Sequence, residues 1–493
     1  MKNKKRIIIS IIIIVFLCVC YTIKNYDYNT DTFYLIKLGE YILNHGINFK
    51  DHFSFIQGLT YTYPHWLYSV FIYIIYSKFG FLGIHINNII SFIVLILSIY
   101  IVNLKVNKNI LFAFFISIIS IFLLNSFILA RGQVFSLILL FLEVYFINRL
   151  IETGNKRYII FLMIASLLIA NLHGTIWIMF FVLYMPFFGE QLVYLIISKK
   201  NKGEKEIGDI QINRINNIKL VLISFFLTFL MGLLTPSRIC YTYVFRIMLG
   251  SSQNFITEHQ PLKLIKEPFL IFLITILMFY KGKVKLRELF MIFGVILLSL
   301  VSVRHICFTY TIGLLYISKL FVKELNDSKD KTFITLENII FSKNILFILI
   351  ISILLIGMVG IKENYRRKYI NEDIYPTKAV KYIKNNLDYK NIRMYNNYGI
   401  GGYLLFNDIP VFIDPRCDLY LKEFNKGKVE VFNDSVMIYE ELDSYKRIFK
   451  KYDINYVLLG KNDKLYYVIR NDNEYAKIYN DENFVIFKKK REN

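Results

Sequence analysis

Long apolar runs without formal charge recur along the chain, at 7–23, 82–104, 110–127 and 344–361. A helix needs about 20 apolar residues to cross a hydrocarbon core of about 30 Å. Every backbone amide in lipid must bond within the protein, so only helices and closed barrels can span it. The runs of Ile, Leu and Phe show no period-two alternation, which decides for helices. With 55% hydrophobic residues over 493 positions, the chain is expected to be a polytopic α-helical membrane protein.

The charges between these runs set their direction. The first run follows Lys2, Lys4, Lys5 and Arg6, resembles a signal sequence, and lacks a small-residue cleavage site, so an uncleaved anchor is expected. Further apolar pieces lie at 66–79, 134–147, 158–170, 177–197, 220–234, 269–280, 290–303 and 306–320. Lysine and arginine cluster in alternate loops, most densely over 199–219, 281–287 and 323–343. Basic loops stay in the cytoplasm, so the pattern gives about eleven spans, the N-terminus inside and the C-terminus outside. The piece 66–79 is read as either a short span or a surface helix.

The net charge of +22 is accounted for largely by those loops, so no nucleic-acid partner is expected. Cys18, Cys20, Cys240, Cys307 and Cys417 form neither a metal-ligand pattern nor an even-numbered disulfide framework.

After residue 361 the composition changes to charged and tyrosine-rich, with no spanning run. Helices are expected at 376–386 and 439–451, and strands at 392–395, 411–413, 456–459 and 484–487. The expected organisation is a membrane domain at 1–361, with its first outer loop at 24–65, and an extracytoplasmic α/β domain at 362–493.

Asp31, His65, Arg131, His173, Arg304 and His305 all fall near the outer ends of apolar pieces, so the alternation brings them to one membrane face. Asp31 opens a stretch, 31–46, whose apolar spacing is that of a helix lying in the interface, with Lys37 and Glu40 on its wet side. Each residue also has a structural reading. An arginine at a span end is commonly a snorkelling anchor, Asp31 has the position of a helix N-cap, and His173 beside Gly174 suits packing. Their joint recurrence at one face favours a shared site. Asp414, Arg416 and Asp418 read as an ion-paired structural turn, with acceptor recognition as the alternative.

The outer stretch resembles membrane glycosyltransferases of the GT-C superfamily, notably protein O-mannosyltransferases and lipid A aminoarabinose transferases. Asp31 and Tyr34 match their Asp-Glu-x-x-Tyr pattern in the first outer loop, and Pro64 matches a Lys-Pro-Pro-like segment. Thr32 replaces the second acidic residue and His65 stands where proline is frequent. Arg131-Gly132-Gln133, Asn171-Leu172-His173-Gly174, Arg304-His305, Gly401-Gly402-Tyr403 and Ile413-Asp414-Pro415-Arg416 are similar to motifs of a bacterial subgroup.

The resemblance implies an inverting transfer of a sugar from a polyprenyl-phosphate carrier to an envelope glycan, lipid or protein at the outer face of the cell membrane. Such chemistry needs a base at the acceptor, for which Asp31 is the candidate. It also needs cations at the departing phosphate, for which Arg131 and Arg304 are the candidates. Tyr34, His65, Gln133, His173 and His305 are candidate substrate contacts. The donor is itself the lipid-linked substrate, so no cofactor is expected, and Gly399-Ile400-Gly401-Gly402 lacks the context of a nucleotide loop. His65, His173, His305, Asp31 and Asp27 show no paired ligand spacing, so no metal is expected. The competing readings are a transporter or flippase of lipid-linked saccharides and a non-catalytic envelope-assembly protein. A transporter predicts inverted repeats and broken midplane helices, which the sequence does not display.

Overall fold

The computed structural model describes residues 2–23, 28–198, 205–248, 257–327, 331–364, 369–425 and 429–490. The chain begins with α1 (Lys2–Thr22) and α2 (Thr30–His45), followed by α3 (Trp66–Asn107), α4 (Ile110–Leu123), α5 (Gln133–Thr153) and α6 (Arg157–Leu172). Then come α7 (Gly174–Ser198), α8 (Ile218–Leu234), α9 (Pro268–Phe279), α10 (Leu286–Val301), α11 (Val303–Glu324) and α12 (Lys343–Asn364). Every apolar piece read from the sequence is thus helical, and the fold is that of a polytopic helical membrane protein. Among the described residues, five helices (Asn3–Thr22, α3, α5, α7 and α11) are long and apolar enough to cross a membrane. Shorter ones, such as α9 with 12 residues, suit a bilayer that thins locally or burial among neighbours.

The expected pieces 66–79 and 82–104 are both in α3, which is broken at Gly80. Its φ of +60° is a left-handed value that a side chain would strain.

The chain divides into two compact units. The first comprises Met1–Tyr26, His85–Cys240 and Ile256–Arg367. In it α1 packs on α4 and α12, α5 on α6, α6 on α8, and α10 on α7 and α11. Several of its buried polar groups bond to one another, which offsets their loss of water. Trp177 Nε1 donates to Ser166 Oγ (2.9 Å), Ser166 Oγ to the Thr228 carbonyl (2.8 Å), and Asn107 Nδ2 to Ser318 Oγ (2.8 Å). A small sheet joins β1 (Lys205–Ile207), antiparallel β2 (Ile210–Ile212) and β3 (Val284–Lys285), the last parallel to β2.

The second unit comprises Asp27–Ile84, Tyr241–Phe255 and Lys368–Asn493. Its sheet has the order β4 (Met394–Tyr395), β5 (Tyr456–Gly460), β7 (Phe484–Lys489), β6 (Tyr475–Asn480). β4 runs parallel to β5, and β7 is antiparallel to both β5 and β6. The helices α13 (Thr377–Asn386), α14 (Tyr398–Phe406), α15 (Val431–Glu440) and α16 (Tyr445–Lys451) complete an α/β arrangement.

Three expectations are corrected here. Residues 411–413 form no sheet strand; Val411 makes one isolated bridge to Ser54. The helix expected over 439–451 is interrupted between α15 and α16, where Glu441 leaves helical geometry (φ −124°, ψ 87°). The apolar face of α2 is buried in protein rather than laid into lipid: Phe33 meets the rings of Tyr375 (4.9 Å), Tyr403 (5.1 Å) and Phe406 (5.6 Å). An amphipathic pattern reports that a face is covered but not by what.

Candidate functional site

In the first unit, three sequence-distant motifs meet. Arg131 lies in the turn leading to α5, and Gly132 sits against the end of α6. A Cβ at Gly132 would stand 2.7 Å from the Leu172 carbonyl oxygen, so only glycine allows this approach. His173 ends α6 and is buried. Its Nε2 lies 3.0 Å from Arg304 Nη2, and its Nδ1 lies 3.0 Å from Ser136 Oγ. A guanidinium can only donate, so His173 Nε2 accepts, and the neutral ring carries its proton on Nδ1 and donates it to Ser136. Ser136 Oγ in turn donates to the Gly132 carbonyl (3.1 Å). The relay fixes Arg304 with respect to the turn bearing Arg131.

Arg131 Nη1 donates to Glu258 Oε1 at 3.0 Å. Loss of solvation pushes the Glu258 carboxyl up, but Arg131, Arg304 and His259 outweigh it and hold the group below its usual range. Burial and the Arg304 charge lower the His259 imidazole, against the opposing pull of Glu258. Arg304 Nε and His305 Nδ1 are buried with no hydrogen-bond partner among the described residues. Two guanidiniums against one carboxylate, with His173 neutral, leave the cluster cationic. Gln133 opens α5 and is buried, with no side-chain hydrogen bond among the described residues. Glu258 and His259, which the alternation of spans places in an outer segment at 235–268, and Ser136 were not among the candidate site residues. The acidic–histidine pair 258–259 between two apolar runs was the available signal.

Asp31, Tyr34 and His65 belong to the second unit. Asn29, not Asp31, caps α2: its side-chain oxygen accepts from Thr32 N (3.2 Å) and Thr32 Oγ1 (3.1 Å). Asp31 stands within the first turn, where the helix dipole favours a carboxylate. α14 lies against this turn through Gly402, whose N–H donates to Thr30 Oγ1 at 3.1 Å. Tyr398, also on α14, is half-buried, and its phenol is pushed well up by desolvation and by Cys417, Asp31, Tyr34 and Asp414. Asp31, Tyr34, Tyr398 and Asp414 therefore share one neighbourhood. His65 precedes α3, half-buried, and its carbonyl accepts from Ser69 N at 2.9 Å.

Beside them Arg416 is clamped. It donates through Nε (2.9 Å) and Nη2 (2.6 Å) to the two oxygens of Asp414, and through Nη1 to Asp51 (2.5 Å). Its guanidinium also faces the rings of Phe53 and Tyr61. The ion-paired turn is observed for Asp414 and Arg416, with Asp51 as a member that sequence reading did not include, while Asp418 makes no ion pair among the described residues. Asp418 is raised to about 6, chiefly by burial, with the Thr62 hydroxyl (3.1 Å) and Arg416 opposing. Asp27 lies outside the described residues. Among those described, no group of three or more His, Cys, Asp or Glu side chains is placed to hold a metal ion.

No protein-family model matches the chain, and no curated protein matches it in sequence. Solved structures do match in fold. An archaeal oligosaccharyltransferase, AglB from Archaeoglobus fulgidus, in complex with an inhibitory peptide and a dolichol-phosphate, aligns with a TM-score of 0.61 at 10% identity. That alignment covers 93% of this chain and 70% of that one. The Archaeoglobus fulgidus oligosaccharyltransferase aligns in its apo form with a TM-score of 0.54 at 10% identity, over 92% of this chain and 69% of that one. Tethered with an acceptor peptide containing the NVT sequon, it gives a TM-score of 0.54 at 11% identity, over 98% of this chain and 74% of that one. The chain thus has the GT-C type of membrane fold, with a small C-terminal sheet domain.

Proposed function

We propose that the protein is a membrane glycosyltransferase that moves a sugar from a polyprenyl-phosphate carrier to a cell-envelope acceptor on the outer face. The reading is supported most by one observation: Arg131 and Arg304, from turns far apart in sequence, gather with neutral His173 into a cationic cluster. Preorganised guanidiniums are suited to charge that develops on a leaving phosphate. The fold adds support, since one structure of this fold was solved with a dolichol-phosphate and a peptide.

In this reading the acceptor hydroxyl or amine gives its proton to the Asp31 carboxylate and attacks the anomeric carbon with inversion. The bond from that carbon to the phosphate oxygen breaks, and the electron pair leaves with the lipid phosphate, which Arg131 and Arg304 receive. His173 orients Arg304. Tyr34, His65, Gln133 and His305 contact the substrates. The N-terminus is cytoplasmic, and the C-terminal domain is extracytoplasmic. The bacterial subgroup suggested by the sequence motifs is part of the same proposal.

The Asp31→Asn variant tests it. Asparagine keeps the shape and removes the base, so transfer should fall by at least ~100-fold, the lower end of general-base contributions, while membrane insertion stays normal. Undiminished product from Asp31→Asn would remove Asp31 from the reaction.

A further inference from the structure

A cationic cavity occupies the opposite, lysine-bearing ends of the membrane helices in the first unit. It has a volume of about 340 Å³ and is lined by Asn107 of α3, Lys283, Lys285, Glu288 of α10, and Lys319 and Lys323 of α11, with apolar side chains between them. Four lysines face one carboxylate. Three of the ammonium groups are committed: Lys319 to Glu288 (2.6 Å), Lys283 to Glu206 (2.8 Å), and Lys323 to the Lys283 carbonyl (3.1 Å). Lys285 has no hydrogen bond or ion pair among the described residues, although it is half-buried. Burial, then Arg287 and Lys319, lower its ammonium group, and Glu288 and Glu190 offset this only in part. Asn107 is 7% exposed, and its Oδ1 has no partner among the described residues.

We infer that this cavity binds the phosphate-bearing head group of an anionic phospholipid. Lys285 pairs with the phosphate, Lys319 and Lys323 flank it, and a head-group hydroxyl donates to Asn107 Oδ1. A phosphodiester adds a direct ionic partner for Lys285, on which Glu288 and Glu190 act only through the field. The cavity lies at the ends of α10 and α11, the depth at which head groups meet apolar helices, and basic pockets between such helices are suited to acidic lipids. Phosphatidylglycerol has both the charge and the free hydroxyl.

The full-length protein in neutral detergent is titrated with phosphatidylglycerol, phosphatidylcholine or inorganic phosphate. Bound lipid is counted by native mass spectrometry, and melting temperature is followed in parallel. Phosphatidylglycerol should bind and raise the melting temperature, while phosphatidylcholine and inorganic phosphate should not. Lys285→Gln should weaken phosphatidylglycerol binding about fivefold, the worth of one lysine at an acidic surface. Lys285→Arg should keep it. Lys281→Gln, a change at an exposed lysine outside the cavity, should leave it unaltered, which separates a site from general basicity. The melting temperature without lipid reports whether each variant is folded. Equal affinity of the wild type and a folded Lys285→Gln overturns the proposal. Equal binding of phosphatidylcholine, or protection by inorganic phosphate alone, overturns the assignment to an anionic lipid.

Discussion

Asp418 shows how a single residue records its surroundings. Its carboxyl is raised from 3.8 to about 6 because burial penalises the charge more than Thr62 and Arg416 reward it. A carboxyl raised on folding binds its proton more tightly in the folded state than in the unfolded one. Its contribution to stability is therefore most favourable below about pH 4 and declines as pH rises towards 6. At pH 7 the ionised group costs at most about 3 kcal/mol, on the scale of 1.36 kcal/mol per unit. Asp418→Asn should raise stability at pH 7 by about 1–3 kcal/mol and have little effect near pH 4. Denaturation followed across that range checks this, and an unchanged pH slope would contradict it. Arg416 has the opposite balance: with Asp414 and Asp51 both in contact, its charge is matched, and loss of either carboxylate would leave part of a buried guanidinium without its acceptor.

Among the elements, the contact of α2 with α14 positions the Asp31 turn. A Cβ at Gly402 would lie 2.1 Å from the Thr30 carbonyl oxygen, whereas one at Gly399 of the same helix would meet nothing nearer than 3.6 Å. Gly402→Ala should thus destabilise the second unit by about 1–3 kcal/mol and lower transfer by displacing the turn that holds Asp31, while Gly399→Ala should do neither. Melting temperature and product yield measured together decide it, and a fully active Gly402→Ala would show that the close approach is dispensable. The helices that form this contact were only partly legible. α2 and its stop at Gly46 follow from apolar spacing, but its partner does not, because spacing is blind to tertiary choice. Residues 411–413 are apolar and β-branched at two positions, yet their burial comes from packing rather than from a ladder. β6 escaped notice because it is mostly unburied and has no alternating apolar face.

Across the whole molecule, the membrane spans were the most legible part, because lipid forbids alternatives to a continuous helix and lysine marks one side. The gathering of Arg131, His173, Arg304 and His305 was foreseeable for the same reason: short turns at one end of alternating helices must come near one another. Glu258 and His259 were not, since they sit in a connecting segment whose path no periodicity dictates. The placement of residues 27–84 with 368–493 in one unit was equally silent, as no local pattern encodes contacts over such separation. The GT-C type of fold agrees with the resemblance carried by Asp31 and Tyr34.

The central claim is that the cationic cluster serves a transfer reaction from a phosphate-linked lipid. Its most direct measurement uses the purified full-length protein in vesicles with a polyprenyl-phosphate sugar and an envelope acceptor, following glycosylated acceptor and released polyprenyl phosphate together. The wild type should form both in equal amounts. Arg304→Ala should reduce both by about 100-fold or more, as loss of a donor to developing charge does, with the protein still folded. Release unaffected by Arg304→Ala, or no transfer by the wild type from any polyprenyl-phosphate sugar supplied, would contradict the account.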